Sequence, residues 1–132
     1  MNTTPRKMRS ALGRVRHHGA SGEGTGHFLG QRVSAIALIM LATWFVLNAT
    51  LTMDGPSYVG AIDFISDPIN AVGVVLLVLI GLYHMRLGMQ VIVEDYIHRP
   101  ATKFVLLLLN TLVPLALGAG AIFAILAVNF GV

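Results

Sequence analysis

Apolar residues in this chain gather into three long blocks separated by short polar stretches. Val33–Leu51 runs nineteen residues without a charge. The second block opens at Pro68 and continues to about Glu94, and Ala71–Tyr83 within it carries no charge. The third runs from about Lys103 to Phe130 and is uncharged after its first residue. A helix needs about 20 apolar residues to cross a bilayer, so each block predicts a transmembrane helix. The expected helices are 32–52, 68–95 and 102–130, in an all-α membrane protein with three spans. Asp67-Pro68 has the form of a capping carboxylate followed by proline in the first helical turn. The second and third spans exceed the hydrocarbon thickness and are expected to tilt or to protrude from it.

Composition supports this reading. Of the 132 residues, 55% are hydrophobic and only 11% charged, and the mean hydropathy is +0.76. A soluble domain carries about 25% charged residues. Such a chain cannot build a large private core; its helices face lipid or partners. The absence of cysteine excludes disulfides, thiolate metal sites and cysteine nucleophiles.

The net charge of +3 is a matter of topology rather than of nucleic-acid binding. Five of the nine Lys and Arg residues (Arg6, Lys7, Arg9, Arg14, Arg16) precede the first span. The 52–67 connection holds Asp54, Asp63 and Asp67 and no Lys or Arg, whereas the 94–103 connection holds Arg99 and Lys103. The positive-inside rule then predicts the N-terminus inside, the acidic connection outside, the 94–103 connection inside and the C-terminus outside. The first apolar block begins too late and is too long for a signal peptide. Residues 1–26, rich in Gly, Ser, Thr and Arg, read as a basic flexible arm ahead of a 27–132 membrane unit. A transit peptide cleaved from this arm would leave little sequence before span one. We therefore read a retained N-terminus at a bacterial inner membrane in preference to a mitochondrial one.

Candidate chemistry concentrates in "HMRLGMQVIVEDY", His84–Tyr96. His84 lies about eleven residues, roughly 16 Å, before the inner end of its span. An ionisable residue at that depth is a functional hypothesis, although a neutral imidazole bonded to a neighbouring helix accounts for it too. No second His, Cys or acid stands at i+3 or i+4, which disfavours a self-contained zinc site. An axial haem ligand needs only one histidine from a helix. Gly88, at i+4, would leave room for a flat macrocycle or simply allow close helix packing. Asp95, at i+11, returns to within about 20° of the His84 face. Tyr96 is at the depth of an interfacial anchor, and its phenol could equally hydrogen-bond a carbonyl ligand.

Other polar residues have plainer readings. Arg86 is roughly 200° around the helix from His84, too deep for easy snorkelling, and is expected to face protein or water within a bundle. Arg32 is either a positive-inside flank or a bidentate donor to a carboxylate. His17, His18, His27 and His98 are expected to be solvated. Pro114 should kink span three, and Gly118 and Gly120 should allow close packing.

The string "HMRLGMQVIVEDYIH" resembles the signature of the hydrophobic membrane anchor subunits (D subunits) of succinate dehydrogenase, respiratory complex II. That pattern is a histidine, a glycine four residues on, and an Asp-Tyr pair at plus eleven and plus twelve; His84, Gly88, Asp95 and Tyr96 match each spacing. "GHFLGQRVSAIAL" resembles the opening of the family's first helix, and the likeness extends from about Gly26 to Val132. The resemblance implies half of a heterodimeric helical bundle, completed by a companion cytochrome b anchor subunit. It implies His84 as one axial ligand of a shared haem b, with the second ligand from the companion. It also implies Tyr96 and Asp95 at a ubiquinone site, and Arg32 near a haem propionate. The iron–sulfur and flavoprotein subunits would dock on the inner face. Two alternatives stand: a haem-bearing anchor of a quinol:fumarate reductase, or a non-redox three-helix accessory subunit in which His84 only packs.

Overall fold

The computed structural model describes residues 23–131. The described chain is entirely helical: α1 (Glu23–Thr52), α2 (Tyr58–Ser66), α3 (Pro68–Tyr96) and α4 (Pro100–Phe130). Three of the four, α1, α3 and α4, are long and apolar enough to cross a membrane. At about 1.5 Å per residue each exceeds 40 Å, so each also extends past a hydrocarbon layer of about 30 Å.

Local chemistry sets the helix ends. Asp67 caps α3: its Oδ1 accepts from the backbone N–H groups of Ile69 and Asn70 at 2.9 and 3.0 Å, and Pro68 occupies the first turn. Pro100 begins α4 in the same way. Gly131 ends it with φ 67°, a left-handed conformation that suits glycine. The expected bounds of spans two and three hold to within about two residues.

Two differences from expectation concern the start of the chain and the acidic connection. α1 begins at Glu23, nine residues before the predicted Arg32, so Gly24, Thr25 and Gly26 are helical. The remainder of the predicted flexible arm, 1–22, lies outside the described residues. Within the 52–67 connection, Tyr58–Ser66 forms α2, started by Ser57, whose Oγ accepts from the Gly60 N–H at 3.0 Å.

α3 is the centre of the architecture: α1 packs on one side of it, α4 on another, and α1 and α4 share no substantial contact. α2 lies across the Asp67 end, where buried Phe64 meets Phe45 of α1 edge-to-face at 5.9 Å. Side-chain amides tie the helices together. Asn48 Nδ2 donates to Asn70 Oδ1 at 2.6 Å, Asn110 Nδ2 to the Arg86 carbonyl at 2.8 Å, and Asn129 Nδ2 to the Ile65 carbonyl at 2.6 Å. In a bilayer, where apolar burial gives little helix–helix drive, such bonds and close packing hold helices together. Gly73 allows the closest approach, since a Cβ there would collide with the Trp44 ring.

The buried apolar residues are few: Phe64, Ala71, Leu87, Val93 and Ile125. The remaining large hydrophobics are turned outward, among them Ile39, Leu115 and Phe123. Outward apolar faces of this kind suit contact with lipid or with other chains.

α4 continues unbroken through the buried Pro114. Gly118 is a packing glycine, because a Cβ would stand 3.3 Å from Leu79 and 3.4 Å from Leu82. Gly120 is not: nothing lies within 4 Å of its Cβ position. One helical step of two residues separates a face in contact with α3 from one that looks away from it.

Candidate functional site

The site grows from the α1–α3 contact. His84 is half-buried and turned toward α1. Its Nδ1 lies 2.9 Å from the hydroxyl oxygen of Ser34, the one buried polar residue among the described residues. Its Nε2 lies 3.5 Å from Nε2 of Gln31. Ser34 also reaches back one turn, to the carbonyls of Gly30 at 2.7 Å and Gln31 at 3.1 Å.

These distances are compatible with one proton pattern in particular. A serine hydroxyl has one hydrogen and two lone pairs. The shortest contact commits that hydrogen to the Gly30 carbonyl, the usual back-bond of a helical serine. With the hydrogen so placed, the oxygen suits the Nδ1–H tautomer of His84, and Nε2 of the ring then faces the Gln31 amide as an acceptor.

Toward the Tyr96 end of α3 the two helices diverge into a cleft of about 690 Å³, lined by His27, Phe28, Gln31, Gly88, Gln90 and Glu94, among others. Its size is in the usual range for a small-molecule site, about 300–1,000 Å³. Two polar atoms of the α1 wall, Nε2 of His27 and Oε1 of Gln31, are buried without a hydrogen-bond partner among the described residues. Unpaired buried polar groups cost about 1–3 kcal/mol each and call for an occupant that satisfies them. Gly88 forms part of the α3 wall, and its Cβ position is in ordinary contact with Gln31 at 3.5 Å.

The residues singled out from sequence are therefore not all brought together. His84 and Gly88 share the α1-facing side of α3 with Gln31 between them. Asp95 and Tyr96 are exposed at the end of the helix, and Tyr96 retains 75% of its surface. At 1.5 Å per residue, Tyr96 is roughly 18 Å along the axis from His84. Arg32 is exposed and places its guanidinium 5.2 Å over the ring of Phe28, one of the cleft residues. Arg86 faces α4, opposite His84, as the helical angle requires.

Reasoning from sequence missed Ser34, Gln31 and His27. His27 was expected to be solvated, yet its Nε2 is buried, because α1 continues beyond Arg32 and carries His27 along the cleft. The available signal was the spacing: 27, 31 and 34 fall on one helical face once the helix starts early enough.

Comparison with known proteins gives the family. The sequence profile of the family described as "Succinate dehydrogenase/Fumarate reductase transmembrane subunit" matches residues 2–126. A succinate dehydrogenase hydrophobic membrane anchor subunit of Rickettsia bellii is 35% identical over 90 residues, 68% of this chain and 71% of that protein. One of Rickettsia conorii is 29% identical over the same shares. One of Paracoccus denitrificans is 27% identical over 128 residues, 97% of this chain and 93% of that protein.

Proposed function

This chain belongs to the succinate dehydrogenase/fumarate reductase transmembrane subunits, and on that premise we propose that it is the anchor that holds succinate dehydrogenase on the membrane, shares a haem b and borders the ubiquinone site. It works with a companion anchor subunit, an iron–sulfur subunit and a flavoprotein. The membrane is the bacterial inner membrane, in keeping with the Rickettsia and Paracoccus relatives. The N-terminus and the 94–103 connection face the cytoplasm, and the acidic 52–67 connection and the C-terminus face the other side.

The observation that carries the haem reading is the His84–Ser34 bond. A ligating histidine commonly donates its other ring N–H to a fixed oxygen, which sets the tautomer and makes the ligating nitrogen more basic. In its Nδ1–H tautomer His84 has that arrangement, and Nε2 would be the ligating atom once the Gln31 amide, 3.5 Å away, turned aside. The orphaned Gln31 Oε1 and His27 Nε2 in the adjoining cleft are suited to a large polar-edged group, and Gly88 keeps the α3 wall low. His84 would hold a haem here together with the companion chain, with Gln31, His27 and Gly88 bordering it. When bound, the haem supplies a one-electron redox centre.

The remaining roles fall to residues at the end of α3. Tyr96 can donate its phenolic O–H to a quinone carbonyl at the water-facing edge of the membrane. Reduction of a quinone takes up two electrons and two protons, and the exposed Asp95 carboxylate beside Tyr96 offers an acceptor and carrier for protons arriving from water. The Lys103 ammonium donates to the Glu94 carbonyl at 2.9 Å, which fixes the α3–α4 turn next to this pair. Arg32 beside Phe28 is available to a propionate or to a partner's acid.

Purification through a tag on this chain tests the assignment. The expected result is co-purification of a flavoprotein and an iron–sulfur protein with succinate:quinone reductase activity. Recovery of the chain without them would overturn it.

A further inference from the structure

On the face of α3 turned away from His84, α3 and α4 enclose a second groove, of about 340 Å³. Its walls are apolar for most of their length, including Leu79, Leu82, Leu115, Ala119 and Ile122. Arg86 lines its Tyr96-side end. The groove extends from Arg86 to Leu79, seven residues or roughly 10 Å along α3, toward the middle of the helix. Asn110 pins the charged end, because its amide donates to the carbonyl of Arg86 and holds the two helices together at that level.

Among the described residues no carboxylate is paired with Arg86: Asp54, Asp63 and Asp67 are at the opposite end of the bundle, α4 contains no acid, and Glu94 and Asp95 are eight and nine residues further along α3. The Glu94 carboxylate already accepts from Gln90 at 2.8 Å. A guanidinium inside a membrane span is costly unless an anion or water meets it. Arg86 lies ten residues, about 15 Å along the axis, from Tyr96 at the helix end. α3 is longer than a hydrocarbon layer is thick, so Arg86 is shallower than its sequence position suggested, and its long side chain covers part of the remaining distance toward the headgroups.

We propose that this groove binds an anionic phospholipid, with the phosphate on Arg86 and one acyl chain along the α3–α4 groove. The order of chemistry matches an amphiphile: a single cation at one end with Thr111 beside it, then a mainly apolar channel in which Tyr83 is the one other residue with a hydroxyl. Basic pockets between transmembrane helices are sites for acidic lipid headgroups. Leu115, 68% exposed, leaves the channel open along its side for a chain to enter. This site depends on membrane insertion alone and stands apart from the haem reading.

The test uses the whole complex in phosphatidylcholine nanodiscs containing a minor fraction of chain-spin-labelled phosphatidylglycerol or phosphatidylcholine. The wild type should immobilise phosphatidylglycerol in preference to phosphatidylcholine, by about five-fold for one cationic contact. Arg86→Gln should abolish that preference, and Arg86→Lys should keep most of it. Ala119→Phe, which fills the channel and leaves the charge, should remove the immobilised component for both lipids. Full preference in Arg86→Gln, or an unchanged immobilised component in Ala119→Phe, would overturn the proposal. Loss of the partner subunits in Arg86→Gln with unaltered lipid selectivity would overturn it in favour of a protein carboxylate.

Discussion

His84 of α3 and Ser34 of α1 are joined by a 2.9 Å contact between imidazole Nδ1 and hydroxyl oxygen, which orients the ring so that Nε2 points to Gln31. Neither residue accomplishes this alone. Ser34 is held by the Gly30 carbonyl, and His84 is then held by Ser34.

Ser34→Ala should leave the helices in place and loosen the haem. Outer partners of a ligating histidine typically contribute 10–100-fold in metal affinity. Haem retained per complex after prolonged detergent exposure should fall accordingly, while Ser34→Thr, which keeps the hydroxyl, should retain it. Equal retention in Ser34→Ala and wild type would remove the hydroxyl from the account.

Tyr96→Phe should assemble normally, because the exposed phenol stabilises little in the fold. Loss of one hydrogen bond to the quinone should lower succinate:quinone activity roughly three- to tenfold. Succinate oxidation with a soluble dye should be unchanged. Parallel assays with the two acceptors make the comparison.

Glycine substitutions separate the two kinds of position in the spans. Gly73→Ala drives a methyl group into Trp44 and should destabilise the α1–α3 contact by about 1–3 kcal/mol. Gly120→Ala meets open space and should be neutral, or stabilising by up to about 1 kcal/mol through helix propensity. Thermal unfolding of the detergent-solubilised complex should rank Gly120→Ala at or above wild type and Gly73→Ala below it.

Asn110→Leu removes the amide that ties α4 to the Arg86 carbonyl. Interhelical hydrogen bonds in membranes are worth about 0.6 kcal/mol on average and up to about 1.7. A loss of stability within that range is expected by the same unfolding measurement.

The spans were legible in the sequence because a bilayer demands length and apolarity, both of which are readable without tertiary contacts. The Asp67-Pro68 start was legible because capping is local. α2 was not, since nine residues with Asp63 among them carry too little periodicity to stand out from a connection. The early start of α1 was hidden by Gly24 and Gly26, which weaken helix propensity but do not forbid a helix. His84 and Gly88 were visible by spacing and by resemblance. Ser34 and Gln31 were not, because only the packing of α1 on α3 brings residues about fifty positions apart into contact.

The most direct test is a succinate-reduced minus oxidised visible spectrum of the complex purified through this chain, wild type against His84→Ala. The account predicts a b-type haem band that succinate reduces in the wild type and that is absent from His84→Ala material still containing the flavoprotein. An undiminished band in that variant would contradict the assignment of His84 as ligand, and a wild-type complex with no haem and no flavoprotein would contradict the function itself.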